Sequence, residues 1–296
     1  MPRRARIACI QYRQRPLPNF DAFAAQLERQ VAIAADYSAD LAVLPEFLGL
    51  QTISGGPKPL AADAAVQALS AGYPAFVATL SNLAQRYRID LVGGSSFRRG
   101  DDGRIHNVCP VTLRDGRVIE QAKLHATPSE RVVWGVAGGD ALRLIETDIG
   151  RIGVLICYDS EFPELTRRLV EQGVELLCVP FCTDLRDGYL RVRYSCAARA
   201  VENQCYVALA GNVGMQQHVL NFDQQWSQSA ILTPCDFGFA RDGIAAEAQP
   251  GEECVIFADL DFDQLAQARR EGAVRNLADR RLDLYDVRWH GASHLH

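Results

Sequence analysis

The sequence predicts an α/β fold in four layers, α-β-β-α, with two mixed sheets facing each other and helices flanking them. Three observations lead to it. Short, continuously apolar runs such as Leu41–Leu44 and residues 154–156 have the composition of strands covered on both faces. Such runs alternate with longer amphipathic stretches, which is the pattern of strands connected through helices. The alternation also occurs twice, in halves divided near Gly139.

In the first half, residues 6–12 predict a strand and residues 19–37 a helix with Phe23, Leu27, Val31 and Ala34 on one face. The strand Leu41–Leu44 is stopped by Pro45, and Glu46 follows at the edge where open α/β sheets place their sites. Residues 50–72, rich in Gly, Pro and Ala, predict a loop that includes at most a short helix. A helix over 74–87 and a strand over 90–94 come next. Segments 106–113 and 117–123 are joined by Arg114-Asp-Gly116, a hairpin signal that leaves Lys123 at a strand end. Lysine is scarce: only Lys58 and Lys123 occur among 31 basic residues. Residues 125–130 and 136–139 predict an ordered loop of the kind that carries function.

The second half is organised around Arg151-Ile-Gly-Val-Leu-Ile-Cys-Tyr-Asp-Ser-Glu-Phe-Pro-Glu164. Cys157 stands where the strand ends, and Asp159 or Ser160 is expected to cap a helix whose first turn holds Pro163 and Glu164. A thiol placed there would feel the positive end of the helix, which lowers its pKa. A lone cysteine in an apolar run is ordinarily inert core, so Cys157 needs partners from elsewhere in the chain. Residues 174–180, 206–210, 230–233 and 254–258 predict strands. Residues 189–203 predict a helix with Leu190, Tyr194, Ala197, Ala198 and Val201 inward. The tail over 262–286 is helical, then extended and highly charged, a pattern suited to packing on a partner subunit. Residues 1–289 are expected to form one domain and 290–296, with His290, His294 and His296, a flexible tail.

Composition narrows the function. A net charge of −5, with no stretch of basic residues interleaved with aromatics, argues against nucleic acid. No apolar run reaches membrane-spanning length, and the N-terminus lacks the apolar core of a secretory signal. Nine cysteines, an odd number set mostly in apolar segments, fit a reducing cytoplasm. Cys178 and Cys182 flank Pro180 without nearby histidines, so no metal is expected there.

Together, Glu46 in Leu44-Pro-Glu-Phe47, Lys123 in Lys123-Leu-His125, and Cys157 in Cys157-Tyr-Asp159 before Phe162-Pro-Glu164 resemble the signature of the nitrilase, or carbon-nitrogen hydrolase, superfamily. The resemblance covers nearly the whole chain and extends to Ala198-Arg-Ala-Val-Glu-Asn203 and Asn212. It implies that Glu46 is a general base, that Lys123 and the backbone N–H of Tyr158 stabilise an oxyanion, and that Cys157 is the nucleophile. No cofactor is implied. Glu130, seven residues after Lys123, resembles a second glutamate that positions substrate and lysine in many relatives. The stretch from Thr127-Pro-Ser-Glu130 to Gly138-Gly139-Asp140 is similar to a poorly characterised bacterial branch, sometimes fused to an N-acetyltransferase for which these 296 residues leave no room.

The resemblance therefore implies an amidase-like hydrolase of a small amide, with a nitrile or carbamoyl hydrolase, an acyl transferase or an idle binding scaffold as the competing readings. Tyr158 after the nucleophile resembles amidases and carbamoylases rather than nitrilases. Glu161 departs from the basic or neutral residue of many amidase-like members. It weakens the expectation of acidic substrates unless Arg186 or Arg191 supplies a counter-charge. The helices over 162–171 and 189–203 lie where the family resemblance implies a homodimer interface.

Overall fold

The computed structural model describes residues 3–290. Its first half contains β1 (Arg4–Gln14), α1 (Phe20–Asp36), β2 (Leu41–Leu44), a 3-10 turn over Leu48–Ile53, α2 (Ala62–Tyr87), β3 (Asp90–Gly93), β4 (Ser96–Arg99), β5 (Ile105–Thr112), β6 (Val118–Ala122) and α3 (Pro128–Trp134). The second half contains β7 (Leu144–Thr147), β8 (Gly150–Val154), a 3-10 turn over Cys157–Glu161, α4 (Pro163–Glu171), β9 (Leu176–Phe181), α5 (Arg186–Asn203) and β10 (Tyr206–Met215). The short strands β11 (Gln224–Gln225), β12 (Ala230–Leu232) and β13 (Ile244–Glu247) follow, then β14 (Cys254–Asp261) and α6 (Phe262–Glu271).

These strands form one large curled sheet whose central path is β4-β5-β3-β2-β1-β10-β9-β8-β7. The two halves meet where the ends of β1 and β10 pair in parallel, Tyr12 with Asn212 and Gln14 with Gly214. Away from that seam the halves face one another. Ile7 and Cys9 of β1 and Leu41 and Val43 of β2 share a core with Val154, Leu177, Val179, Val207 and Leu209 of the other half. The alternate residues Ala8, Ile10, Ala42 and Leu44 point the opposite way, onto Phe23, Leu27 and Val31 of α1 and Phe76 and Leu80 of α2. On the far side α4 and α5 cover β8 and β9 through Leu165, Leu169, Val192, Cys196 and Ala200. The mixed α/β sandwich that the strand pattern predicts is therefore present, closed at one seam into a continuous sheet.

Several elements differ from expectation. Helix α2 starts at Ala62, inside the segment expected to be a loop, and carries Pro74 in its interior. An interior proline costs about 3 kcal/mol in isolation. Here the buried series Ala65, Val66, Leu69, Tyr73, Phe76, Leu80 and Leu83 runs straight across it, so packing overrides propensity. On α5 the buried residues are Tyr189, Val192, Cys196, Arg199, Ala200 and Asn203, whereas Tyr194 and Val201 are exposed. The inward face is rotated from the expected one, because the helix keeps apolar side chains on its surface as well as in the core. The tail lies partly on its own chain: Leu277 and Trp289 pack against the core, and Arg280 donates to Glu171. Leu282, Leu284 and Tyr285 remain exposed. His290 is exposed, while His294 and His296 lie outside the described residues. No helix of the described residues is long and apolar enough to cross a membrane. All nine cysteines are free.

Candidate active site

Three strand ends converge on the same point. Glu46 lies two residues past β2, Lys123 directly follows β6, and Cys157 lies three residues past β8. The Lys123 and Glu46 backbones are held by hydrogen bonds. The Lys123 N–H donates to Asn107 O at 2.8 Å, extending the β5–β6 ladder, and Lys123 O accepts from Gly139 N at 2.8 Å. Asn212 Nδ2 donates to Glu46 O at 2.6 Å, tying the glutamate to the seam between the sheet halves. Cys157 and Phe47, the residue after Glu46, adopt positive φ of 50° and 59°. A non-glycine residue there carries local strain, held here by the surrounding packing.

Lys123 Nζ donates to Glu46 Oε1 at 2.7 Å and to Glu130 Oε2 at 2.6 Å, with all three side chains almost completely buried. Asn107 Nδ2 bridges the same two carboxylates, at 2.9 Å to each. Glu130 is the third residue of α3, not a loop residue: Thr127 Oγ1 accepts from Glu130 N while Glu130 Oε2 accepts from Thr127 N. This is a capping box, and Thr127-Pro-Ser-Glu130 already spells it in the sequence. One glutamate thus closes a helix start and holds the lysine.

The electrostatics follow from burial. Desolvation pushes Glu46 up to about 7, with Lys123 opposing the rise. Burial works to lower Lys123, but the charges of Glu46 and Glu130 outweigh it and hold the ammonium well above its ordinary value. Glu130 resists burial in the same way and stays below the usual range through Lys123. The Cys157 thiol is raised well above its usual value, first by burial and then by the charge of Glu46, with Lys123 opposing. This corrects the expectation of a thiol acidified by a helix. Helix α4 begins at Pro163, six residues beyond Cys157, and Phe162 rather than Asp159 or Ser160 precedes it as cap.

Asp159 instead reaches back to the lysine strand. Its carboxylate accepts from Leu124 N at 3.0 Å, His125 N at 2.8 Å and His125 Nδ1 at 2.9 Å, and the His125 ring stacks on Phe162 at 3.7 Å. Asn107 and Asp159 are the two organising residues that sequence reasoning missed. The signal for Asn107 was an amide inside the otherwise apolar strand His-Asn-Val-Cys; Asp159 was misassigned as a helix cap.

The cysteine faces two connected spaces. A chamber of about 120 Å³ is lined by Glu46, Lys123 and Glu130 with Phe47, Trp134 and Phe222. A cleft of about 590 Å³ shares Cys157, Cys182, Ser129 and Asp184 with that chamber and adds Tyr158, Glu161, Asp187 and Arg191. Among the described residues no group of three or more His, Cys, Asp or Glu is placed to hold a metal.

The fold and the site define an α/β sandwich that buries a cysteine beside acid and lysine side chains at its strand edge. A model of the carbon-nitrogen hydrolase family matches residues 6–270, and the chain belongs to that family, within the nitrilase superfamily. It is 42% identical over 284 residues to the probable hydrolase YhcX of Bacillus subtilis, covering 96% of this chain but only 55% of that relative's length. It is 32% identical to omega-amidase NIT2 of Xenopus tropicalis, over 70% of this chain and 74% of that one. Among solved structures, Saccharomyces cerevisiae Nit3 matches with a TM-score of 0.75 and 25% identity, over 94% of this chain and 96% of that one. An amidase from Nesterenkonia sp. AN1, solved with acrylamide, shares the fold at a TM-score of 0.72 and 21% identity, over 95% and 96% of the two chains.

The buried lysine yields a stability prediction. Lys123→Met leaves Glu46 and Glu130 facing each other without compensation and should cost about 3–5 kcal/mol at neutral pH. Both carboxyls would then have folded-state pKa values raised above their unfolded ones. The folded state holds more protons than the unfolded state, so the variant's stability should fall as pH rises. Urea unfolding at pH 5 and pH 8 measures this; equal losses at both would show the carboxylates are not uncompensated.

Proposed function

We propose that this protein hydrolyses the carbon-nitrogen bond of a small amide through a Cys157 thioester. The observation that carries the reading is Lys123 held between Glu46 and Glu130 beside a buried thiol. A carboxyl group near 7 is matched to proton transfer at neutral pH, where positioned acid–base catalysis is worth about 10²–10⁴-fold.

In the proposed sequence, Glu46 takes the thiol proton as Cys157 Sγ attacks the carbonyl carbon. Two of the three Lys123 N–H groups are engaged by Glu46 and Glu130, leaving one for the developing oxyanion. The backbone N–H of Tyr158, at the start of its turn, supplies a second donor; one such donor is commonly worth about 3 kcal/mol. The tetrahedral species collapses as its C–N bond breaks, and Glu46 returns the proton to the leaving nitrogen. Water then gives a proton to Glu46 and attacks the thioester, releasing the acid and restoring the thiol. Glu130 keeps Lys123 charged and oriented throughout. Residues 1–289 act as one catalytic domain in this reading, and neither metal nor cofactor takes part.

Cys157→Ala should abolish ammonia release from amides while the far-ultraviolet circular dichroism stays that of the wild type. For an amide and nitrile sharing one acyl part, the amide should react faster; a faster nitrile, or undiminished turnover by Cys157→Ala, would overturn the assignment. The expected homodimer gains support from the apolar surface that Tyr194 and Val201 of α5 present, with Leu282, Leu284 and Tyr285 also exposed in the tail. Light scattering at micromolar concentration should give twice the 32.6 kDa chain mass, and a fully active monomer would contradict it.

A further inference from the structure

The cleft outside Cys157 has an unbalanced charge. Glu161, in the nucleophile's own turn, and Asp184, just after β9, both line it. Neither makes an ion pair or side-chain hydrogen bond among the described residues, whereas Asp187 lies 3.8 Å from Arg191. Glu161 is partly buried and Asp184 exposed at the cleft wall, and burial is the main influence on each, raising both above the ordinary carboxylate value. Asp223 adds a further negative charge near Asp184, while Arg191 is the cation that acts on Glu161 from within the cleft. The Tyr158 ring lines the same space. Arg186, considered from the sequence as a counter-charge, does not line it.

We infer that Glu161 and Asp184 select a cationic substrate: an amide whose acyl part carries a protonated amine or guanidinium a few bonds from the scissile carbonyl. The inference rests on the amidase reading above and deepens it. The scissile carbon must lie at Cys157 Sγ, beside the oxyanion donors. The 120 Å³ chamber holds little beyond the reacting group, so the remainder of a longer substrate extends into the 590 Å³ cleft. There a cation meets two carboxylates without partners and an aromatic ring, an arrangement that attracts it. A carboxylate in the same place would face these like charges, with Arg191, 3.8 Å from Asp187, as the one cation of the cleft lining.

Two measurements separate this inference from the reaction it rests on. The first compares kcat/KM for δ-aminovaleramide, valeramide and the monoamide of glutaric acid, which match in chain length and differ in terminal charge. The cationic amide should be preferred over the neutral one by about tenfold at low salt and over the anionic one by more. Glu161→Gln/Asp184→Asn should bring the cation-to-neutral ratio close to one. The second needs no turnover: the rates at which aminoethyl and sulfonatoethyl methanethiosulfonate modify Cys157, read by peptide mass and normalised to a free thiol. The cationic reagent should react faster, and the preference should shrink with salt and in the double variant.

Faster modification by the anionic reagent, an anionic or neutral preference among amides, or a cation preference that survives the double substitution would overturn the inference. Absence of amide cleavage together with cation-selective modification would instead overturn the amidase reading and leave the cleft's charge selection standing.

Discussion

Lys123, buried to the last few per cent between Glu46 and Glu130, is the constraint on which the rest of the site depends. An ammonium cannot be taken out of water without compensation worth several kcal/mol, and these two carboxylates supply it. The requirement draws the end of β2 to the end of β6, with Glu46 and Lys123 set 77 positions apart in sequence, and adds the start of α3. It also creates an asymmetry. Glu130 receives Lys123, Asn107 and Thr127, and is held ionised, whereas Glu46 is left poised near 7. Two carboxyl groups a short distance apart thereby become different acids.

The fold serves that constraint by presenting strand ends at one edge. Facing sheet halves bring the ends of β2, β6 and β8 together so that Glu46, Lys123 and Cys157, just beyond them, line one space, and the pairing of β1 with β10 brings Asn212 against the Glu46 backbone. Asp159 fastens the turn after Cys157 to the segment following Lys123 through three hydrogen bonds. Positive φ at both Cys157 and Phe47 is a cost of this geometry, and it sits next to the two residues proposed to exchange the proton.

Much of this was legible in the sequence because buried parallel strands are short apolar runs with abrupt ends. Leu41–Leu44 before Pro45, and the run ending in Cys157, locate two of the three site residues without any fold in hand. What was not legible depended on tertiary context. The Gly-, Pro- and Ala-rich stretch 50–72 suggested a loop and Pro74 a helix start, yet a continuous apolar stripe carries α2 from Ala62 through Pro74. Tyr194 and Val201 looked inward because apolar residues on a surface cannot be told from core by type alone. The capping box at Thr127 was readable but short, and Asp159 has several local uses of which only the fold selects one. Local sequence likewise suggests a helix-activated thiol; the structure puts the cysteine in a turn where burial and Glu46 keep it protonated.

The central claim is therefore that a glutamate, and not a helix, activates Cys157. The pH dependence of kcat/KM on an amide tests it most directly, comparing wild type with Glu46→Gln. The wild-type profile should rise with pH through an ionisation near 7, as Glu46 loses its proton. In Glu46→Gln that limb should disappear and the remaining rate should fall by about 10²-fold or more. A Glu46→Gln enzyme that keeps the same limb would assign the ionisation to another group and contradict the account.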